Sequence, residues 1–376
     1  MVKPKTIGFP RMRVEAGEKR VFLPELINAI NDMGLHVYIE EGYGSRLGYT
    51  FDSFQRGSET IHRCSREEAF AQDLVLILRS PKRAEYALLS PHSCLISMLH
   101  FPTRPGRVNH LISNNIKAIS LDSIVDDYSI RRVENMKAVA WNGLETAFLQ
   151  LAEQWENFIK PDGNPAQVLI LGTGMVGKHA VEAATKLGNI EHYNDHIQAG
   201  GLGSIAISVG RAVTQSPNQM KKLMQNADIL VDATQRRNPS QAVIPNEWIA
   251  WLPEHAIIVD LAVDPYLPNN DPPIVRGVEG IPMGNLDQYV FYPDDPTWCS
   301  QIPEGVPTQN RRTSVSCYSW PGIHPEACME HYARQLMPMI EVLVEKGYDE
   351  LQLEGSFFER ALYRGTLKAF MEIRPA

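Results

Sequence analysis

Three glycines near the middle of the chain have a spacing that could bring a phosphate group close to the backbone. They follow directly after the apolar run 168–171 and precede a helical pattern over residues 178–187. In this order the first glycine permits a tight turn, the second leaves room for a pyrophosphate, and the third lets the helix pack closely on the strand. Free N–H groups at the start of the helix can then bind phosphate oxygens. The pattern predicts a dinucleotide-binding site, whose candidate residues are Gly172, Gly174, Met175, Val176 and Gly177.

Asp195 is the acidic candidate of the same site. It comes just after residues 190–193, which we predict to be the next strand. A carboxylate at the end of that strand accepts hydrogen bonds from the adenosine ribose and repels a 2′-phosphate. We therefore expect NAD to be favoured over NADP, although His196 and Lys178 lie close enough in sequence to leave NADP open.

Three polar residues directly follow other predicted strands, and a fourth lies in the loop between the first strand and the helix that begins at Pro24. Ligands of open α/β sheets bind beyond the carboxyl ends of the strands, so these side chains are candidates for a substrate site. Guanidinium groups hold a carboxylate through paired hydrogen bonds, and an imidazole or a carboxylate can carry a proton. The set therefore suits a keto or amino acid that exchanges a hydride with the dinucleotide. The candidates are Arg20 and Arg79 for substrate binding, and His100 and Asp264 for catalysis.

Each of these residues also has a purely structural interpretation. Arg20 follows Glu18 and Lys19, where a solvated surface charge is the default, and Arg79 could simply pair with Glu85. His100 could satisfy a core carbonyl group, and an aspartate before a proline is a common turn former. Spacing alone leaves both interpretations open.

The elements around these residues alternate between strand and helix signals. Continuous apolar runs at 74–78, 94–99 and 116–121 are typical of parallel strands buried on both faces. Long helical patterns at 131–158 and from Pro325 to Gly347 flank a second βα region. This order predicts an α/β protein of two Rossmann-like, doubly wound parallel-sheet domains joined by long helices, with an active site in the cleft. We expect a substrate-binding domain at 1–135, an NAD-binding domain at 136–324, and a return to the first domain at 325–376.

The composition excludes several classes of protein. With a net charge of −8, the chain is a poor candidate for binding nucleic acid or an anionic membrane. Its apolar runs are all shorter than the roughly 20 residues that span a bilayer. The five cysteines are scattered without a CxxC pair, which favours reduced thiols in a cytoplasmic protein over disulfides or a metal site.

Several of these segments resemble the alanine dehydrogenase and pyridine-nucleotide transhydrogenase family, which includes the lysine-forming saccharopine dehydrogenases. The resemblance implies that Arg20 binds the substrate carboxylate, that His100 is catalytic, and that Asp264 is catalytic as in the alanine dehydrogenases. It further implies NAD-linked oxidative deamination of an amino acid, or reductive amination of a 2-oxo acid. The similar segments are residues 7–10 and 18–21, 97–100, 172–195 and 259–264, with 312–327 closer to the saccharopine dehydrogenases.

One residue departs from the family pattern. Arg79 stands where family members carry a lysine, and an arginine cannot lose its proton in a protein. Proton transfer would then fall to His100, with Asp264 as the rival and Lys82 as a less favoured alternative. The extra guanidinium also suits a saccharopine- or opine-type dehydrogenase, whose amine substrate is itself an amino acid. A catalytically silent NAD-binding sensor or subunit is the remaining alternative.

Overall fold

The computed structural model describes residues 3–13, 15–236 and 238–373, and it divides into two compact units. Unit 1 is Met1–Asn135 together with His324–Ala376, and unit 2 is Met136–Ile323. Each unit is described by itself below.

Both units are built from alternating strands and helices. The first part of unit 1 contains β1 (Thr6–Phe9), α1 (Pro24–Asp32), β2 (His36–Glu40), α2 (Phe51–Gln55), β3 (Ile61–Cys64), α3 (Arg66–Phe70), β4 (Leu74–Arg79), β5 (Cys94–Met98), α4 (Pro105–Ser113) and β6 (Lys117–Ser120). Unit 2 contains α5 (Met136–Ala152), β7 (Ala166–Leu171), α6 (Met175–Ala184), α7 (Ile190–Gln198), β8 (Ser204–Val209), α8 (Arg211–Thr214), α9 (Pro217–Met224), β9 (Ile229–Asp232), α10 (Asn246–Ile249), β10 (Ile257–Asp260), β11 (Val290–Phe291) and β12 (Thr313–Ser316). The chain returns to unit 1 through α11 (Pro325–Lys346), α12 (Phe357–Arg364) and α13 (Leu367–Ile373).

The sheet of unit 1 has the strand order β3-β2-β1-β4-β5-β6, and all its pairings are parallel. Strand β4 explains how a continuous apolar run fits such a sheet. Successive side chains of a strand point to opposite faces. Accordingly, Leu74, Leu76 and Leu78 belong to one hydrophobic core, while Val75 and Ile77 belong to another.

The sheet of unit 2 has the order β11-β12-β10-β9-β7-β8, and only the short edge strand β11 is antiparallel among the described strands. Here β7 divides its apolar residues between two cores, with Val168 and Ile170 on one face and Leu169 and Leu171 on the other. The predicted fold class of two doubly wound α/β sheets is confirmed.

Two predicted elements differ from the structure. Residues 190–193 are not a strand, because they form the first turn of α7. The Asn189 side chain caps this helix by accepting hydrogen bonds from the N–H groups of Glu191 and His192. The apolar residues Ile190, Tyr193 and Ile197 recur at helical spacing, which a four-residue window does not reveal.

The helix predicted over 131–158 is shorter at both ends. Arg131 forms a β-bridge with Val125, so the chain is still extended there, and α5 begins only at Met136. At the other end, Asn157 and Phe158 adopt positive φ angles of 52° and 60°, which an α-helix cannot contain.

Among the helices of the described residues, none has both the length and the apolar character needed to cross a membrane. Within the same residues, no group of three or more His, Cys, Asp or Glu side chains is arranged to hold a metal ion.

Candidate functional site

The glycine motif of unit 2 has the geometry that the sequence predicts. Gly172 follows β7 with φ of 107°, and a Cβ atom there would lie 2.4 Å from the Ala233 carbonyl oxygen. A Cβ atom at Gly177 would lie 2.2 Å from the Gly172 carbonyl oxygen, so α6 packs directly on the turn. By contrast, nothing lies within 4 Å of a Cβ atom built at Gly174. Gly174 is the N-cap of α6, and Met175 and Val176 begin the helix. The open space in front of Gly174 fits an approaching pyrophosphate.

A cavity of 660 Å³ opens beside this turn, within the range of ordinary small-molecule sites. It is lined by Gly172, Thr173 and Gly174, by the residues that follow β8, and by the segment after β9. All three groups lie at the carboxyl edge of the parallel sheet, where ligands of doubly wound folds bind.

Asp195 does not lie at this cavity edge. It is an exposed residue of α7, and β8 starts nine residues after it, at Ser204. The proposed contact of Asp195 with an adenosine ribose rested on the strand predicted at 190–193, and that strand prediction is wrong. The second strand of unit 2 is β8, and the residues that follow it are Gly210 and Arg211.

Asp264 follows β10 in unit 2, and Arg236 binds it closely. The Asp264 Oδ2 atom accepts hydrogen bonds from Nη2 and Nε of Arg236 at 2.8 and 3.2 Å, and the carboxylate remains 38% exposed. The preceding Val263 has φ of 51°, a conformation that β-branched residues rarely adopt. Arg236 also lines the cavity, whereas Asp264 is not one of the residues that line it.

Arg20 in unit 1 is not the solvated surface charge that its neighbours in sequence suggest. Its side chain is only 3% exposed, and the Glu18 carboxylate accepts hydrogen bonds from Nε at 2.9 Å and from Nη2 at 2.5 Å. Burial alone would lower the pKa of Arg20, but the hydrogen bonds and charge of Glu18 hold that pKa above its ordinary value. A permanently charged, fixed guanidinium results.

Arg79 at the end of β4 pairs with Glu15, and Glu85 pairs instead with Arg66. The same Glu15 carboxylate lies 3.8 Å from Nη2 of Arg20, so the two predicted substrate arginines meet at one acid. Burial raises the pKa of Glu15, an effect that the charges of Arg79 and Arg20 only partly offset. We call Arg20 and Arg79, the two arginines that share this acid, the arginine pair.

His100 follows β5 at the same edge of the sheet, and it is held by Asp122. The Asp122 carboxylate accepts a hydrogen bond from the His100 backbone N–H at 3.0 Å, and its Oδ2 lies 3.3 Å from Nδ1 of the ring. Burial would raise the pKa of Asp122, but the hydrogen bonds and charge of His100 outweigh it and lower that pKa to about 2. The imidazole is 41% exposed, so its outer nitrogen can reach a ligand.

Strands β1, β4 and β5 are neighbours in the sheet, which brings Arg20, Arg79 and His100 to one edge of unit 1. Lys82, the alternative base, is an exposed residue beyond β4. Three acids that bind these side chains were not predicted from the sequence: Glu15 and Asp122, whose partners are distant in sequence, and Glu18, which lies two residues before Arg20. The order Glu18, Lys19, Arg20 was visible as a signal, yet it was interpreted as surface charge.

Chemically, unit 1 therefore has two guanidinium groups, each paired with an acid, at the same sheet edge as an imidazole whose orientation an acid sets. Unit 2 offers a glycine turn and a cavity suited to a phosphate-bearing ligand. Together these are the components of dehydrogenase chemistry on a small acid.

Comparison with known proteins agrees with this description. The model of the family described as "Alanine dehydrogenase/PNT, N-terminal domain" matches residues 9–140, and that of the C-terminal domain matches residues 160–265. Over 270 residues the chain is 23% identical to an alanine dehydrogenase of Methanococcus maripaludis, covering 69% of this chain and 72% of that protein. It is 21% identical over 401 residues to an NAD(P) transhydrogenase subunit alpha of Haemophilus influenzae. That alignment covers 98% of this chain and 72% of the transhydrogenase subunit.

Among solved structures, an L-alanine dehydrogenase superimposes with a TM-score of 0.70 at 19% identity, covering 96% of this chain and 94% of that one. This likeness supports the same fold of two parallel-sheet units. The two family models together match well over half of the chain, in both units and in the correct order. The chain belongs to the alanine dehydrogenase/PNT family.

Proposed function

We propose that this protein is a pyridine-nucleotide-dependent oxidoreductase that acts on the C–N bond of an amino acid. The observation that carries the proposal is the combination, at one sheet edge of unit 1, of the arginine pair with the His100–Asp122 pair. An α-amino acid presents a carboxylate for the guanidinium groups, and its oxidation at Cα releases a proton that an imidazole can take. The alanine dehydrogenase relatives support this reaction type.

Unit 2 provides the nucleotide site in this proposal. The open backbone at Gly174, the close packing at Gly177 and the adjoining cavity fit the pyrophosphate of NAD or NADP. A bound nicotinamide ring supplies the hydride acceptor for oxidation, or the donor for reduction. The chain itself holds the phosphates and keeps the Asp264 carboxylate fixed by Arg236.

Each residue of unit 1 has a defined part. Arg20 and Arg79 hold the substrate carboxylate, displacing or sharing their contacts with Glu18 and Glu15, and neither guanidinium can act as a base. His100 takes the proton from the substrate nitrogen, and Asp122 keeps the ring oriented through Nδ1. Loss of a hydride from Cα and a proton from the nitrogen leaves an imine, which water hydrolyses to a 2-oxo acid and ammonium.

The test is the absorbance of the reduced nicotinamide while L-amino acids are screened with both nucleotides. We expect one class of amino acid to give turnover, and the matching 2-oxo acid with ammonium to give the reverse reaction. Turnover only when a 2-oxo acid is mixed with a second amino acid would instead identify a saccharopine- or opine-type enzyme. If nucleotide binds but no acid reacts in either direction, the proposal of an enzyme is wrong, and a silent nucleotide-binding protein is favoured.

The saccharopine- or opine-type reaction remains a second candidate because of Arg79. Its guanidinium lies at the end of β4 and is the second guanidinium of the arginine pair. With two such groups, Arg20 and Arg79 could each bind one carboxylate of the same substrate. Such a substrate carries one carboxylate on each side of the secondary amine.

Arg79→Lys separates a binding role from a catalytic one. If Arg79 only grips a carboxylate, lysine should raise KM about 10-fold or more with little change in kcat, because a point charge replaces a two-pronged donor. The measurement is steady-state kinetics with the substrate found in the screen.

Arg83→Lys is the matched control, since Arg83 is an exposed arginine beyond the same strand and its replacement should leave both constants unchanged. An Arg79→Lys enzyme with a higher kcat, or with newly gained alanine turnover, would contradict the binding role. Such a result would mean that the arginine marks a diverged active site.

A further inference from the structure

We infer that the nucleotide site of unit 2 accepts a 2′-phosphate on the adenosine ribose, with Arg211 as the residue that binds it. The chain should then bind NADP at least as tightly as NAD. This inference rests on the proposed function, which requires a pyridine nucleotide but leaves the choice between the two open.

The first observation is the position of Arg211 relative to the glycine turn. Strands β7 and β8 pair in parallel, with Leu171 opposite Val209, so the two strands end level with each other. The Gly172 N–H donates to the Val209 carbonyl oxygen at 2.9 Å, and the Ser208 hydroxyl donates to the Gly172 carbonyl oxygen at 3.2 Å. Arg211 therefore lies two residues after Val209, the last residue of β8. That end of β8 is hydrogen-bonded to the glycine turn at Gly172.

In dinucleotide folds, the residues after the second strand face the adenosine ribose. A carboxylate at that point binds the free 2′-hydroxyl of NAD, whereas a nearby arginine accommodates the 2′-phosphate of NADP. Along the chain, β8 is the second strand of unit 2. The residues that decide between NAD and NADP are therefore the ones that follow β8, Gly210 and Arg211.

The second observation is the charge of the cavity wall. Gly210, Arg211, Thr214 and Gln215 all line the cavity, and no aspartate or glutamate lines it within the part of the chain that the structure describes. Asp195, the acid that would have opposed a 2′-phosphate, lies on α7 and not on this wall.

The third observation is that the Arg211 guanidinium is available. The residue is exposed, and among the described residues its guanidinium has no ion pair and no hydrogen bond. Arg236, a second arginine of the wall among the described residues, is bound to Asp264 and to the Val275 carbonyl oxygen. A phosphate at this end of the cavity would thus gain a charge-assisted contact without breaking one.

The experiment measures dissociation constants of the full chain for NADP and NAD by calorimetry, with 2′,5′-ADP and 5′-AMP as probes of the adenosine end. We expect NADP to bind at least as tightly as NAD, and 2′,5′-ADP to bind more tightly than 5′-AMP. Arg211→Ala should weaken NADP and 2′,5′-ADP by about 10- to 100-fold, the usual effect of losing a hydrogen bond to a charged group. The same variant should change the NAD constant by less than about 3-fold.

Two further variants sharpen the result. Arg211→Asp should reverse the preference, because a carboxylate repels the 2′-phosphate and can accept from the ribose hydroxyl. Lys222→Ala is the matched control, since Lys222 is an exposed cation of the same unit that does not line the cavity. It should leave all four constants unchanged.

Tighter binding of NAD than of NADP by wild-type protein would overturn the inference while the proposed function stands. So would an Arg211→Ala variant that weakens both nucleotides equally. If neither nucleotide binds wild-type protein, the proposed function itself fails and takes the inference with it. Circular dichroism of each variant checks that the fold is kept.

Discussion

His100→Ala should lower kcat by about 10²- to 10⁴-fold, the usual range for loss of a general acid–base group. Of the predicted candidates at this edge of unit 1, Arg20 and Arg79 cannot exchange a proton, whereas the His100 imidazole can. The exposed ring and its buried Asp122 partner are arranged for that role. Steady-state kinetics over a range of pH would measure the effect, and the profile of kcat/KM should lose one limb in the variant.

His92→Ala is the control, because His92 is an exposed histidine of the same unit outside the site. Asp122→Asn adds a finer test, since it keeps the shape but removes the charge that orients the ring. It should lower kcat less than His100→Ala does and leave KM nearly unchanged. A His100→Ala enzyme that kept its full kcat would show that the proton carrier is elsewhere, with Asp264 the next residue to replace.

Gly174→Val should abolish nucleotide binding while the protein stays folded. A valine side chain would occupy the space that the pyrophosphate needs, yet no atom lies within 4 Å of a Cβ atom built there. Titration of the nucleotide by calorimetry, with a thermal melt of the same sample, measures both parts of the prediction. Unchanged nucleotide affinity would mean that the glycine segment is only a turn.

Valine substitutions at two other glycines serve as comparisons for Gly174→Val. Gly106→Val, at a site in α4 with equally open surroundings, should alter neither binding nor Tm by much. Gly177→Val should instead lower Tm, because its Cβ atom would lie 2.2 Å from a backbone oxygen that cannot move away easily. The contrast separates a glycine needed for the ligand from one needed for packing.

Local sequence patterns determined much of the fold and part of the candidate site. The apolar runs of β4 and β7 identify strands buried on both faces, because alternate side chains enter two cores. The spacing of the three glycines between β7 and α6 is typical of a dinucleotide-binding turn. Arg79 and His100 were found because each comes directly after such a run, and strand ends are readable without knowledge of the partners.

The structure decided which residue follows the second strand of unit 2 and lines the cavity there. The run at 190–193 is too short to separate strand from helix by its own periodicity, and the Asn189 cap makes it a helix. The next strand therefore starts at Ser204, and the residue at its end changes from an aspartate to Arg211. The strand predicted at 190–193 would place the negative charge of Asp195 after the second strand of unit 2. The actual second strand, β8, is followed instead by the positive charge of Arg211.

The partners of the charged side chains were likewise decided by the fold. Glu15 meets Arg79, and Asp122 meets His100, through contacts between segments that are far apart in sequence. Hydrophobic periodicity specifies which face of an element is buried, but it carries no information on which polar ends meet at a sheet edge. Strand order sets those meetings, because the arrangement β1-β4-β5-β6 brings distant loops side by side, and that order is a property of the packed sheet.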